Sequence, residues 1–282
     1  AVLMFLATIV FVGGSAAYLK KGPSGAGSAG ILKALLCRAL FSSTGSSLLA
    51  SAESERDLRV FRGIIAVFAP VSIFWALYDQ QSSRWTFQAL LMDCRLSDRV
   101  AIKPEQMGIF NALLILLLIP VFNRVIYPGL ADRFDLHLRP LHRILLGMLL
   151  AMSSFAAAAL LQLLIASHDP GAIHVLWQVP QYILLTCAEI MVSVTSLEFA
   201  YSESPHVLKS LSSAISLLSV AAGNLLVVLL NELVDPVGWL LGRHQEDRSL
   251  RLLFDFVFWT VVIGCGAYWF ARIARSYKYA TR

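Results

Sequence analysis

Charged side chains are scarce in this sequence. Only 15% of its 282 residues are Asp, Glu, Lys or Arg, whereas soluble domains usually contain about 25%. Hydrophobic residues make up 57% of the chain, and the mean hydropathy is +0.70. Because the apolar residues also fall in long uninterrupted runs, the composition excludes an ordinary soluble domain and indicates a protein embedded in a lipid bilayer.

Catalytic and metal-binding motifs are also missing. The four cysteines, Cys37, Cys94, Cys187 and Cys265, are far apart and form no Cys-x-x-Cys pair, so their spacing predicts neither a disulfide nor a metal site. The six histidines show no ligand spacing. No Gly-rich loop precedes Lys-Ser/Thr, and no Gly-x-Ser-x-Gly elbow occurs. The sequence therefore predicts no catalytic residue, no metal and no enzyme activity.

Seven long apolar runs carry almost no charge. A helix needs roughly 20 mostly apolar residues to cross a hydrocarbon core about 30 Å thick, and each run approaches or exceeds that length. We therefore predict an all-α integral membrane protein with about seven spanning helices. Pro120 and Pro180 are expected to kink two of them. The runs are residues 1–19, 63–83, 106–123, 144–167, 171–197, 210–231 and 256–271.

Lys and Arg residues are distributed unevenly between the connections. Sixteen of the 23 follow the first, third, fifth or seventh run, and seven follow the second, fourth or sixth. The positive-inside rule then predicts that residues 20–62 and the C-terminal tail are cytoplasmic. This bias accounts for the formal net charge of +5, so the charge predicts no nucleic-acid partner.

The domain organisation follows from the same pattern. We predict a spanning helix at residues 1–19, a cytoplasmic linker at 20–62, a six-helix bundle at 63–275 and a cytoplasmic tail at 276–282. Within the linker, residues 31–40 alternate apolar and basic side chains, which is compatible with an amphipathic helix on the membrane surface. Ala1 opens directly inside an apolar run, so we expect the sequence to be cut within or just before a helix of a longer protein.

Two of the runs contain an acid at membrane depth, where a charge costs at least about 2.5–3.5 kcal/mol. Trp75 and Asp79 are four residues apart on one helix face; they line a cavity or gate, or Asp79 pairs with a neighbouring Arg. Glu189 lies mid-run with Ser193 one turn further on, and such a carboxyl can exchange a proton or receive an ammonium group. Asn111 either lines a cavity or bonds a neighbouring helix.

Other polar residues follow Glu189, within the same run and just after it. Ser196, nearly two turns on, is expected on the Glu189 face. Glu198 is nine residues on and about 180° round the helix, so the two acids are not expected to share one site. Glu198 and Glu203, which lie beyond the end of the run, are equally compatible with structural and functional roles.

A cytoplasmic connection carries a recognisable string. Residues 129–134, which include Gly129, Asp132 and Arg133, resemble the Gly-x-Leu-Ala-Asp-Arg loop motif of the major facilitator superfamily. The string falls in the compartment that the charge bias predicts to be cytoplasmic.

More specific strings resemble the proton-dependent oligopeptide transporter family of that superfamily, and the resemblance covers nearly the whole chain. It implies the six-helix C-terminal half of a major facilitator fold plus one preceding transmembrane helix. The matching strings are residues 74–83 in the seventh helix of the family, residues 103–107 and 126–128 with Asn111 in the eighth, and Glu189 with residues 197–205 in the tenth.

This resemblance assigns roles to individual residues. Glu189 would receive the amino terminus of a peptide, with Ser193 beside it, and Asn111 would contact the peptide backbone. Trp75 would line a side-chain pocket, and Asp79 would take part in the outer gate or in proton coupling.

The resemblance also implies a function, namely proton-coupled symport of di- and tripeptides across a cell membrane, driven by a proton gradient without another cofactor. The implied partners are the peptide, protons, the lipid bilayer and a missing N-terminal half, because alternating access needs both halves. Ser216 departs from the family, many members of which carry a Trp there. The alternatives are a carrier for another solute, such as nitrate or a peptide-like drug, and a non-transporting truncated fragment.

Overall fold

The computed structural model describes residues 52–97, 100–129, 139–169, 171–204, 208–240, 248–277 and 279. Chain contacts divide the protein into two units, Ala1–Leu48 and Leu49–Arg282, and every described residue belongs to the second. Three predictions lie outside the described residues: the spanning helix at 1–19, the amphipathic segment at 31–40, and the loop residues Asp132 and Arg133.

Helices make up most of the described part. The first long element consists of α1 (Ala52–Tyr78), a 3-10 turn (Asp79–Ser82) and α2 (Arg84–Ala89). The second consists of a 3-10 turn (Pro104–Met107), α3 (Gly108–Val121) and a π-helical turn (Phe122–Ile126). The third element is the single helix α4 (Pro140–Ala166).

The second half of the described chain contains one interrupted helical element and two continuous helices. The fourth element consists of a 3-10 turn (Val175–Gln178), α5 (Val179–Glu189), a π-helical turn (Ile190–Val194) and α6 (Thr195–Glu203). The last two elements are α7 (Lys209–Leu240) and α8 (Arg248–Ser276).

Six helical spans of the described chain are long and apolar enough to cross a membrane, and they match the six runs predicted between residues 63 and 271. The all-α membrane fold is therefore confirmed. Helix α1 begins at Ala52, inside the region expected as linker, because residues 52–62 are rich in helix-forming Ala, Glu and Arg. The spans are Arg59–Ala89, Pro104–Gly129, Pro140–Ala166, Val175–Glu203, Lys209–Glu232 and Ser249–Ser276.

The two prolines act differently. Pro180 lies in the first turn of α5, where its missing backbone N–H leaves no helical bond unmade, so it begins a helix rather than kinking one. Pro120 lies inside α3, shortly before the π-helical turn that continues this span. A π-helical turn accommodates a local change in the backbone hydrogen-bond pattern without ending the helix.

A buried aromatic cluster ties the bundle together. Helix α4 packs mainly against α8 and α5, and α1 mainly against α7 and α8. The ring of Trp85 in α2 lies 4.7 Å from that of Tyr182 in α5 and 5.5 Å from that of Phe155 in α4. Phe155 in turn lies 6.2 Å from Phe256 in α8. These tilted and edge-to-face contacts are the favoured geometry for aromatic rings, and they join four helices in one core.

Two spans contribute little to this core. In the spans that contain α3 and α7, 11% of the most apolar stretch is buried, against 56% in the spans that contain α1 and α5. The leucine-rich faces of α3 and α7 therefore point away from the described bundle, for example at Leu116, Leu117, Leu217 and Leu218.

Two glycines permit close helix contacts beside the candidate site. A Cβ on Gly223 of α7 would lie 2.7 Å from the Ser72 carbonyl oxygen and 2.8 Å from Trp75 Cβ in α1. A Cβ on Gly147 of α4 would lie 2.6 Å from Val192 Cγ2 in the π-helical turn after α5. Only residues without a side chain fit at these crossings, which fix α1 and α5 against their neighbours.

A small β-hairpin lies between α2 and α3, where no strand was predicted. Arg95–Ser97 (β1) pairs with Val100–Ala101 (β2) in antiparallel fashion. The Asp93 amide donates to the Ile173 carbonyl at 2.8 Å, and the Val175 amide donates to the Asp93 carbonyl at 2.8 Å. These bonds tie the connection after α2 to the connection before α5. Strands this short give no recognisable alternation in the sequence.

Candidate substrate site

Three polar side chains meet where α1, α3 and α5 converge. Tyr78 is the last residue of α1, Asn111 lies in the first turn of α3, and Glu189 is the last residue of α5. Asn111 Nδ2 donates to Tyr78 Oη at 2.9 Å and to Glu189 Oε2 at 3.1 Å. Tyr78 also donates a hydrogen bond to the Glu189 carboxyl. Two residues that the sequence singled out, Asn111 and Glu189, are thus in direct contact.

The other end of the Asn111 amide is held from α5. Thr186 Oγ1 donates to Asn111 Oδ1 at 2.5 Å and lies 2.8 Å from the Tyr182 carbonyl oxygen one turn earlier in its own helix. Thr186 is completely buried, whereas Asn111 is half-buried. Both the oxygen and the nitrogen of the amide therefore have partners, and the side chain is held in one orientation.

The charge of Glu189 has no cationic partner within the described residues. Its side chain is half-buried, and its hydrogen-bond partners there, Asn111 and Tyr78, are both neutral. No Lys, Arg or His of the described chain forms an ion pair with it. A carboxylate that is partly removed from water and held only by neutral donors retains a strong attraction for a cation. The arrangement can therefore take up a proton or a substrate ammonium group.

The serines that follow Glu189 are arranged differently from a regular helix. Ser193 lies half-buried within the π-helical turn, so the register after Glu189 departs from 3.6 residues per turn. Ser196 is buried, and its hydroxyl lies 2.6 Å from the Val192 carbonyl oxygen and 3.1 Å from that of Ser193. Ser196 is thus bonded within its own helix, and Glu198 is exposed.

Trp75 lies beside this cluster, and Asp79 lies at its margin. The Trp75 ring is 5.7 Å from the Tyr78 ring and 5.3 Å from the Phe74 ring, in edge-to-face contacts, and it is half-buried. Asp79 begins the 3-10 turn after α1 and is also half-buried. Trp75 therefore borders the Glu189 group through Tyr78, whereas Asp79 follows one residue beyond it.

The nearest arginine along the chain from Asp79 is already engaged elsewhere. Arg84 forms an ion pair with Asp255 of α8, and its second terminal nitrogen donates to Asn231 Oδ1 of α7 at 3.0 Å. Asp255 is almost fully buried. Within the described chain no ion pair holds Asp79, so the alternative in which Asp79 merely pairs with a neighbouring Arg is not realised there.

A group of buried glutamines lies at the same end of the bundle as the Arg84–Asp255 pair. Gln88 Oε1 in α2 accepts bonds of 3.1 Å from both Gln178 Nε2 and Gln181 Nε2 at the start of the fourth span. Gln88 Nε2 donates to Gln162 Oε1 in α4 at 3.2 Å, and Gln162 Nε2 donates to Ser249 Oγ of α8 at 2.7 Å. This glutamine cluster joins four spans, and the sequence reasoning missed it.

The opposite end of the bundle is closed by the residues that follow α8. Tyr277 packs its ring 5.3 Å from that of Phe199 in α6 and hydrogen bonds with Glu203. Burial, together with the nearby Glu203 and Tyr279, raises the pKa of Tyr277 well above its usual value. Gly129, the first residue of the loop motif, lies at this end, and a Cβ added to it would have no heavy atom within 4 Å.

Two residues of the site, Tyr78 and Thr186, were not singled out from the sequence. Both could have been found by helical periodicity. Tyr78 lies three residues after Trp75, and Thr186 lies three residues before Glu189, so each shares a face with a residue that was predicted.

Comparisons with known proteins agree with this architecture. The model of the POT family matches residues 35–241. Peptide transporter family 1 of Caenorhabditis elegans is 37% identical over 204 residues, which cover 60% of this chain and 24% of that protein. Protein NRT1/PTR FAMILY 8.3 of Arabidopsis thaliana is 28% identical over 254 residues, which cover 82% of this chain and 42% of that protein.

Solved structures give the same result. The in meso crystal structure of the POT family transporter PepTSo matches with a TM-score of 0.82 and 27% identity, over 98% of this chain and 63% of that one. An auto-inhibited POT family peptide transporter matches with a TM-score of 0.76 and 27% identity, over 100% of this chain and 64% of that one. The chain spans less than half the length of the curated relatives described above. The described residues contain six helices able to span a membrane, and the POT family model matches most of the chain. Together with these structural neighbours, this shows that the chain belongs to the POT family of membrane transporters.

Proposed function

We propose that the full-length protein carries di- and tripeptides across a cell membrane together with protons, and that this chain supplies its C-terminal part. The observation that carries the proposal is the half-buried Glu189 carboxyl, which contacts Asn111 and Tyr78 and has no cation beside it among the described residues. Such a group suits a ligand with a free ammonium end.

The neighbouring side chains complement the rest of a short peptide. Asn111 carries an amide, which can exchange hydrogen bonds with a peptide backbone through both its donor and its acceptor. Trp75 offers an aromatic surface to a substrate side chain, and Ser193 lies four residues beyond Glu189, within the π-helical turn. We assign these three residues and Glu189 to substrate binding.

Proton coupling involves competition at Glu189 and a second group that holds the proton. A proton and an ammonium group are alternative cations for Glu189, so the arriving ammonium group displaces the proton, which must pass to another group to travel with the peptide. We assign Asp79 to the gate or to the proton path, because it lies one residue beyond Tyr78. The driving force is the proton gradient, without another cofactor.

The proposal includes the membrane orientation and the partners of the carrier. The bias in Lys and Arg favours a cytoplasmic location for residues 20–62 and for the C-terminal tail, in a plasma or cytoplasmic membrane. The partners are the peptide, protons, the bilayer and an N-terminal half, since alternating access requires two halves that move relative to each other.

The proposal is tested by uptake of labelled dialanine into proteoliposomes that carry the full-length protein, with and without an inward proton gradient. Wild type is compared with Glu189→Gln, which keeps the shape but removes the charge, and with Glu198→Gln as a control at an exposed position of the same span. We expect gradient-dependent uptake by wild type and by Glu198→Gln. Glu189→Gln should lower uptake by roughly tenfold or more, because the substrate ammonium group would lose its charged partner.

Other outcomes decide between the alternatives. Uptake of nitrate or of a peptide-like drug, but not of dialanine, by folded wild type would identify a carrier for another solute. A simple anion is disfavoured because an unpaired carboxylate repels it. No uptake of any of these solutes would favour a non-transporting role.

A further inference from the structure

We propose that Thr186 is a positioning residue, whose hydroxyl sets the direction of the Asn111 amide and thereby the donors that face Glu189. The inference rests on the proposed function, since it concerns the same site. Thr186 lies in α5, three residues before Glu189, and is completely buried. It acts through Asn111 and does not itself need to touch the substrate.

Each hydrogen-bonding group of the Asn111 amide has a specific partner. An asparagine side chain has two N–H donors and one carbonyl oxygen. Both donors are used by Tyr78 Oη and Glu189 Oε2, at 2.9 and 3.1 Å. The carbonyl oxygen Oδ1 accepts from Thr186 Oγ1 at 2.5 Å, and Thr186 is its donor among the described residues.

The opposite orientation of the amide is unfavourable while Thr186 donates. Rotating the amide by half a turn would place Oδ1 against the Glu189 carboxylate, so that two acceptors would face each other. It would also turn the Asn111 nitrogen away from Tyr78. The hydroxyl therefore selects the orientation in which Asn111 presents N–H groups to the carboxylate.

The contact of the Thr186 hydroxyl with the Tyr182 carbonyl oxygen is less important than its bond to Asn111. Thr186 Oγ1 also lies 2.8 Å from the Tyr182 carbonyl oxygen, but this carbonyl is within α5 and already accepts the backbone N–H of Thr186 one turn on. Within the part of the chain that the structure describes, the donor to Asn111 Oδ1 is the Thr186 hydroxyl, and no backbone N–H there donates to it. Loss of the hydroxyl therefore acts mainly on the amide, where the half-buried acceptor Asn111 Oδ1 would lose its partner.

Uptake kinetics of the full-length protein test this role. Thr186→Val keeps the shape of the side chain and removes the hydroxyl, Thr186→Ser keeps the hydroxyl, and Thr260→Val is the matched control. Thr260 Oγ1 in α8 donates to the Phe256 carbonyl at 2.7 Å within its own helix, at a position that corresponds to the contact of Thr186 Oγ1 with the Tyr182 carbonyl oxygen. It has no bond to Asn111 among the described residues.

We expect Thr186→Val to raise KM for dialanine roughly tenfold with little change in the maximal rate per folded molecule, because binding loses an oriented amide. Thr186→Ser should restore KM to within about threefold of wild type, and Thr260→Val should match wild type. A purely structural role would lower the maximal rate and leave KM unchanged, and this result would overturn the proposal.

A double-mutant cycle isolates the path through Asn111. In an Asn111→Ala background, Thr186→Val should have no further effect on KM, whereas a full additional effect would show that Thr186 acts independently. If wild type takes up no peptide, the proposed function fails. The positioning role is then decided by the same cycle measured on thermal unfolding midpoints, where additive effects would overturn it and coupling would support it.

Discussion

At the scale of single residues, the candidate site is built from neutral hydrogen-bonding groups around one acid. Asn111 reaches both Tyr78 and Glu189 with its nitrogen and is held by Thr186 at its oxygen. The energetic value of such bonds lies less in making them than in the cost of leaving a buried partner unpaired. Each of these side chains should therefore matter to stability as well as to binding.

Replacing Tyr78 by Phe should destabilise the protein by about 1–2 kcal/mol, because both Asn111 Nδ2 and the Glu189 carboxyl lose a partner while the ring contacts with Trp75 remain. The measurement is the thermal unfolding midpoint of the purified full-length protein. Tyr268→Phe is the control, because Tyr268 is exposed in α8. Equal midpoints for the two variants would contradict the assigned network.

At the scale of the helices, the site depends on close crossings and on buried polar clusters. Gly223 lets α7 approach the backbone of α1 next to Trp75, and Gly147 lets α4 approach the π-helical turn that follows Glu189. The π-helical turn itself separates the helix that carries Glu189 from α6. Small changes at these contacts should shift whole helices rather than one side chain.

Gly223→Ala should destabilise the protein by about 1–3 kcal/mol, because the added Cβ meets a backbone oxygen of Ser72 that cannot move without α1. Thermal unfolding of this variant is compared with that of Gly108→Ala, where a Cβ has no neighbour within 4 Å. Gly108→Ala should leave stability unchanged or raise it slightly, since alanine favours the helix. The same loss in both variants would show that the crossing is less tight than the structure indicates.

The glutamine cluster provides a second test at this scale. Gln88→Leu should cost about 1–3 kcal/mol, because Gln178 and Gln181 both lose their common acceptor in a buried environment. Gln80→Leu is a suitable comparison, since Gln80 is equally buried but its Nε2 bonds to the Ala76 carbonyl within the same segment. We expect a clearly smaller loss of unfolding free energy for Gln80→Leu than for Gln88→Leu in denaturation experiments.

At the scale of the whole molecule, contacts distant in sequence close both ends of the described bundle. Arg84 joins the end of the first span to α8 through Asp255 and to α7 through Asn231. At the other end, Tyr277 follows α8, and its ring packs against Phe199 in α6. The same ring lies close to Gly63 in α1, since a Cβ added to Gly63 would be 3.1 Å from it. The chain after α8 therefore contributes to the packing of α1 and α6.

Tyr277 makes this contact sensitive to alkaline pH. Its pKa is raised in the folded protein by burial and by the Glu203 carboxylate, so the folded state holds the phenol proton more tightly than the unfolded state, where the pKa is about 10. The corresponding stabilisation is fully present below pH 10 and is lost as the pH rises above it. We expect the unfolding midpoint of wild type to fall more steeply above about pH 10 than that of Tyr277→Phe. Parallel curves for the two proteins would exclude this linkage.

Much of the architecture was determined by the sequence alone. The six described spans follow from local length and hydropathy, because a bilayer imposes both on every segment that crosses it. Glu189 and Asn111 stood out for the same reason, since a polar group at membrane depth needs a partner or a ligand. Family strings then indicated the family, and the match of the POT family model over residues 35–241 confirmed it.

Only the tertiary structure decided which of these groups meet. Asn111 and Glu189 are 78 residues apart, and Arg84 and Asp255 are 171 apart, so no periodicity within one helix could pair them. The π-helical turn after Glu189 also escaped prediction, because its four apolar residues and Ser193 are equally compatible with a regular helix. Hydrophobicity determines which segments enter the membrane, whereas the partners of each buried polar atom depend on how helices distant in sequence pack against one another.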